Sequence, residues 1–257
     1  MAKKKDDVQE EVVVETNQIA FGDDMPEMPE IPPIVNTNEP HMACLFLVDT
    51  SGSMGQQLLD RETNRKVIPI QELNDALNRF KSDVCKDEKT KSILDVAIVE
   101  FNKITNVVQE FTPVEYMEPV ELEARGGTRI CPALEKAIEM VDERSRFYRR
   151  MGTEPYKPWI VLISDGEPFD PVDDIAEKID ELTESGKLAL WALSIPGAKN
   201  EVLHKLAGRR VLNLSGYDFA GFFNWVNKSM RAVSQSAPGE KVKAEALPES
   251  VTIDDLM

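Results

Sequence analysis

Apolar residues fall along this chain in short runs and periodic stripes that alternate. Residues 43–48 are continuously apolar and stop at Asp49-Thr50-Ser51-Gly52-Ser53. Residues 159–163 and 188–195 are similar runs, the first closed by Ser164-Asp165-Gly166, the second by Pro196-Gly197. Such runs, bounded by turn residues, predict strands buried on both faces. Residues 93–101 predict another, with Leu94, Val96, Ile98 and Glu100 on one face, and residues 107–111 its hairpin partner. Residues 211–214 predict a small edge strand.

Between the runs the period changes to that of a helix. Ile70, Leu73, Leu77, Phe80 and Val84 share one face behind Pro69, which suits a first helical turn. Leu134, Ala137, Ile138 and Val141 mark a helix over 130–149. Its end carries Arg144, Arg146, Arg149 and Arg150, expected as a solvated terminus that complements the helix dipole. Further helices are predicted over 172–185, 201–207 and from Phe219 through Met230, with Trp225 off the last stripe and partly exposed. Strands alternating with helices predict an α/β fold: a doubly wound, mostly parallel sheet with one antiparallel edge strand and helices on both faces.

Chemistry collects where the strands end. Asp49, Ser51 and Ser53 place a carboxylate and two hydroxyls at alternate positions after a buried strand. Hard oxygen donors suit Mg²⁺ or Mn²⁺, and ligands of open α/β sheets bind outside the carboxyl ends of strands. Gly126-Gly127-Thr128 precedes the helix at 130, and Asp165 ends another buried strand. Three such loops in this order resemble a von Willebrand factor A domain, over about residues 41–232, and its metal-ion-dependent adhesion site. Asp49, Ser51, Ser53, Thr128 and Asp165 fill that pattern. The resemblance implies a Mg²⁺ site, with Mn²⁺ as an alternative, that captures a carboxylate of a partner protein. In such a site Asp49 and Asp165 act partly through bound water. Met54, Asp60, Arg61, Arg129 and Glu167 are the expected rim, Met54 also fitting a packing role.

Within that family, Pro69-Ile70, Leu73-Asn74, Gly126-Gly127-Thr128, Arg149, Tyr156-Lys157-Pro158-Trp159 and Ser164-Asp165-Gly166-Glu167-Pro168 resemble bacterial tellurium-resistance-associated A-domain proteins. That resemblance implies a cytoplasmic adaptor in stress response or phage defence, alongside a protein kinase and a PP2C-type phosphatase. Residues 55–68 depart from it. This link is longer and more charged, with Asp60-Arg61-Glu62 and Arg65-Lys66, and is expected beside the metal rim.

Other functions fit less well. An aspartate-nucleophile phosphatase needs a second Asp where Ser51 stands, and neither G-x-x-x-x-G-K-[ST] nor G-x-S-x-G occurs. His41 and His204 lie far from any motif serine, so a non-catalytic module is expected. The alternatives are a subunit of a chelatase-like or AAA-ATPase complex and, behind it, a metal-dependent hydrolase. Scattered Cys44, Cys85 and Cys131 supply neither a zinc cluster nor a disulfide framework and point to a reducing compartment. The net charge of −16 argues against nucleic acid as a partner. No apolar run has transmembrane length, and no signal-like segment follows Met1, so neither membrane nor secretion is expected.

Acidity concentrates at the ends. Residues 1–40 carry three Lys against ten Asp or Glu, and the prolines between Met25 and Pro33 bar a helix or central strand. They are expected as a flexible arm, with Val12-Val13-Val14 a candidate docking strand. Residues 233–257, two Lys against five acids, are expected as a tail outside the fold.

Overall fold

The computed structural model describes residues 39–165, 168–240, 242 and 245–254. The expected arm up to residue 38, with Val12-Val13-Val14, and Glu167 lie outside the described residues.

The central sheet contains seven strands, in the order β5-β4-β1-β6-β7-β8-β9. The strands β1 (Met42–Asp49), β4 (Leu94–Phe101), β6 (Trp159–Ser164), β7 (Ala189–Ser194) and β8 (Val211–Leu214) run parallel. The strands β5 (Thr105–Pro113) and β9 (Val251–Ile253) close the two edges antiparallel. A separate hairpin joins β2 (Leu58–Asp60) to β3 (Arg65–Val67). Helices α1 (Pro69–Val84), α2 (Glu88–Ile93), α3 (Cys131–Arg150), α4 (Asp173–Glu184), α5 (Asn200–Ala207) and α6 (Phe219–Ser234) complete the fold.

Strand pleating divides the core. Cys44, Phe46 and Val48 point to one face and pack with α1 and α6, while Ala43, Leu45 and Leu47 point to the other and pack with α3, α4 and α5. Burial on both faces is why β1 reads as a continuous apolar run. The doubly wound architecture is as the sequence predicts.

Five expectations need correction. Residues 55–68 are not simply a loop, since they hold the β2–β3 hairpin. The turn α2 was not predicted; six residues offer too little periodicity, and Asp87 makes it by capping the Thr90 amide at 2.9 Å. Strand β8 is not an edge, and part of the expected tail is the seventh strand. Val251–Ile253 pairs with Leu214–Leu212, and His204 Nε2 meets Asp254 Oδ2 at 3.0 Å. Trp225 is 3% exposed, because Trp159 and Trp191 pack against it and its indole donates to the Glu245 carbonyl from that same segment. Arg144 is no solvated end: it is 4% exposed, because it continues the stripe of Leu134, Ala137 and Val141 toward Tyr148 and meets Asp95 inside.

Candidate metal centre

Strand β1 delivers Asp49 fully buried at its carboxyl end. One carboxylate oxygen accepts the Ser51 amide at 2.8 Å, and the other accepts the Ser164 hydroxyl at 2.7 Å. Ser164 is the last residue of β6, so this second bond ties two adjacent parallel strands at their ends. A single turn of 3₁₀ helix, Gly52–Gly55, then brings the Ser51 and Ser53 hydroxyls to 2.9 Å from each other. Ser53 Oγ donates a short hydrogen bond to Asp165 Oδ2. Asp49, Ser51, Ser53 and Asp165 thus form one continuous polar chain.

The loop bearing Thr128 is laid against this turn by its backbone. Arg125 N donates to the Thr50 carbonyl at 2.7 Å, Gly52 N to Gly126 O at 3.0 Å, and Arg129 N to Asn102 O at 2.8 Å. A Cβ on Gly52 would stand 3.3 Å from the Gly126 carbonyl, and Gly126 has φ +75°; the close approach of the two loops therefore favours glycine at both positions. Thr128 is 4% exposed, and its carbonyl accepts the Phe169 amide at 3.0 Å. Asp170 then caps α3 through the amides of Ile130 and Cys131, which fastens the third loop to the second.

The electrostatics suit a cation. Burial pushes the Asp49 carboxyl up to about 6; the Ser51 hydrogen bond pulls the other way, and the Asp165 charge adds to the rise. The described residues hold no cluster of three or more His, Cys, Asp or Glu. The donors here are two carboxylates and the Ser51 and Ser53 hydroxyls, with Thr128 on the adjoining loop. All are hard oxygens, and a divalent cation would relieve the like-charge repulsion between Asp49 and Asp165.

The described members of the expected rim have separate surroundings. Met54 is fully buried in the apolar core, so its role is packing. Asp60 is 4% exposed and belongs to the hairpin instead, where it accepts the Glu62 amide at 3.0 Å and the Thr63 hydroxyl. Its carboxylate faces Gly216, where an added Cβ would lie 2.7 Å from Oδ1. Arg61 is exposed on the same hairpin, and Arg129 is exposed beside Thr128.

Sequence reading missed the residues that hold the centre from behind. Thr50 Oγ1 donates to the Phe101 carbonyl at 3.2 Å and accepts from Asn102 Nδ2 at 3.0 Å, joining the ends of β1 and β4. Ser164 and Asp170 are the others. The available signal was a polar residue at each strand end, which turn chemistry alone also explains.

The family model for the von Willebrand factor type A domain matches residues 44–167. No curated protein matches the chain. Among solved structures, a von Willebrand factor type A protein from Catenulispora acidiphila aligns with TM-score 0.55 and 17% identity, over 76% of this chain and 43% of that one. The vWF domain of the type V pili tip protein Mfa5 from Porphyromonas gingivalis gives 0.54 and 10%, over 79% and 99%. Proximal thread matrix protein 1 from the mussel byssus gives 0.50 and 16%, over 75% and 48%. The chain thus spans less than half of the first and last of these, and at such identities the likeness is one of fold. The family match spans just under half of the chain, and together with the shared fold it makes this chain similar to von Willebrand factor type A domains.

Proposed function

We infer that the protein is a non-catalytic, divalent-metal-dependent interaction module that binds a carboxylate of a partner protein. The observation that carries this is the convergence of Asp49 and Asp165, two carboxylates joined through the Ser51–Ser53 hydroxyl chain. The residues that would hold the ion are Ser51, Ser53, Thr128, Asp49 and Asp165, with Mg²⁺ preferred over Mn²⁺. A bound cation supplies a positive centre that attracts an anionic side chain. The chain's own residues do the rest. Ser164 and the Ser51 amide orient Asp49, Asn102 and Thr50 fix the loop behind it, and exposed Ser53 and Arg129 leave the site open to a large partner. Among the described residues no helix is long and apolar enough to cross a membrane.

The resemblance of Pro69-Ile70, Tyr156-Lys157-Pro158-Trp159 and the Asp165 loop to tellurium-resistance-associated proteins supports a narrower reading. On it, the protein is a cytoplasmic adaptor of a stress-response or phage-defence system, and its partners are a protein kinase and a PP2C-type phosphatase. Nucleic acid is not a partner. Isothermal titration of Mg²⁺ and Mn²⁺ tests the metal, and recovery of partners from the native host with Mg²⁺ or EDTA tests the adaptor. Saturable metal binding lost in Asp49→Ala, with partners released by EDTA, is the expected result. No heat of binding for either ion at millimolar concentration would overturn it.

A further inference from the structure

The hairpin inserted between the metal loop and α1 builds a cleft of about 600 Å³ in which no residue of the metal loops takes part. One wall is the hairpin, held by the bonds of Asp60 across its turn. A second is the α1 face carrying Glu72, Asp75, Ala76 and Arg79, at the i, i+3, i+4 and i+7 spacing that aligns side chains on a helix. The third is the turn between β8 and α6, with Tyr217 and Asp218, together with Glu249 and Ser250 ahead of β9.

Charge in the cleft is one-sided. Six carboxylates line it against the guanidinium groups of Arg65 and Arg79. Asp60 and Asp218 are committed to the fold, Asp218 capping α6 through the Gly221 amide and accepting from Ser250. Glu62, Glu72, Asp75 and Glu249 make no ion pair with the described residues and point their charge to a common space. At the base lies Tyr217, 9% exposed. Burial and the Asp60 charge raise its pKa, and its hydroxyl makes no hydrogen bond to a described residue. A buried phenol with a proton to donate at the base of an acidic cleft is a recognition group for something that brings both positive charge and an acceptor.

We propose that this cleft docks a basic, arginine-containing segment of a partner protein. The segment's guanidinium groups meet Glu72, Asp75 and Glu249, and a backbone carbonyl accepts from Tyr217. The volume lies within the range of small-molecule pockets, but those are mostly apolar. A charged, open cleft of this size fits a few arginine side chains, whose planar fork matches carboxylates. The site is independent of the metal reading, and either can fail alone.

The test is fluorescence anisotropy of a fluorescein-labelled arginine–serine repeat peptide with the full chain at near-physiological salt. The double variant Glu72→Gln/Asp75→Asn should weaken binding about tenfold, and Tyr217→Phe about threefold, because buried or focused charges and donors count for more than solvated ones. Arg79→Gln removes a competing cation and should tighten binding about threefold, which a folding defect would not do. Glu177→Gln/Glu181→Gln, the same charge loss on exposed α4 positions, should change it less than about twofold. Asp49→Ala and EDTA should leave it unchanged. Absence of saturable binding, equal weakening by the α4 variant, or loss with Asp49→Ala would each overturn the proposal.

Discussion

Two buried aspartates on neighbouring strands are treated in opposite ways. Asp95 sits near the start of β4, opposite Ala43, and Asp49 sits at the end of β1, opposite Phe101. Both are essentially inaccessible. At Asp95 burial would raise the pKa, yet the His41 ring, the Arg144 charge and the Tyr148 hydroxyl hold it below the ordinary carboxylate range. Arg144 Nη2 stands 2.8 Å from Asp95 Oδ2, His41 Nδ1 stands 3.6 Å away, and the Arg144 guanidinium also lies over the Phe147 ring at 4.9 Å. Asp49 has hydroxyls, an amide and a second carboxylate around it, and its pKa moves up. A buried carboxylate needs a positive charge. One end of the sheet carries that charge in the sequence, and the other has the donors to take it from solution.

The largest expected effect comes from removing the built-in cation. Arg144→Ala should destabilise the protein by about 3–5 kcal/mol, because it strands the Asp95 charge. Asp95→Asn on top of it should recover a good part of that loss. Urea denaturation measures both, and Mg²⁺ should leave the difference between them unaltered. A loss below about 1 kcal/mol would show that the ion pair is dispensable and would end the contrast.

The pH dependence should differ in sign at the two ends. In EDTA the protonated Asp49 is favoured in the folded state. Between the unfolded value near 4 and the folded value of about 6, the native state holds more protons. Stability contributed by this group is therefore complete below pH ~4 and is lost as pH rises through 6, by about 3 kcal/mol. Asp95 does the reverse: its contribution is complete above the unfolded pKa and falls as acid protonates it. Urea melts of the wild type and Asp49→Asn in EDTA, compared between pH 4 and 7, isolate the first slope. If both lose stability equally over that range, Asp49 does not titrate there.

Added metal should reverse the Asp49 cost at neutral pH. A ligand at about 100 times its Kd stabilises the native state by about 2.7 kcal/mol. Thermal melts with Mg²⁺ should show this shift in the wild type, a weaker one in Thr128→Ala, and none in Asp49→Ala. Identical melts with EDTA and millimolar Mg²⁺ would mean that the two ends do not differ in the way described.

What was readable in the sequence follows the same division. The strands were legible because each is a short apolar run buried on both faces, and the polar loops at their ends because carboxylates and hydroxyls interrupt those runs abruptly. Arg144 was misread because a charged side chain in a terminal arginine cluster looks solvated, although its position continues the α3 stripe. Its partner Asp95 lies far off in sequence, in a strand otherwise apolar. The segment 245–254 was misread because three strand residues carry little pattern, and their pairing with β8 is a tertiary fact. Asp60 was placed on the rim by proximity in sequence to the metal loop, but the turn it closes directs it toward Gly216.

The smallest expected effect concerns the hydroxyl that joins β6 to the metal loop. Ser164→Ala removes one hydrogen bond to Asp49 Oδ2 and leaves the packing of β6 nearly intact. With Asp49 ionised and carrying metal, losing that donor should cost about 1–2 kcal/mol, since bonds to charged groups exceed neutral ones. In EDTA at pH ~5 the carboxyl is largely protonated, the acceptor is weaker, and the cost should shrink toward about 0.5 kcal/mol. The measurement is the stability difference between wild type and Ser164→Ala under the two conditions. A donor serving only to close a turn would cost the same in both, so a constant difference would remove Ser164 from the centre and leave Asp49 oriented by the Ser51 amide alone.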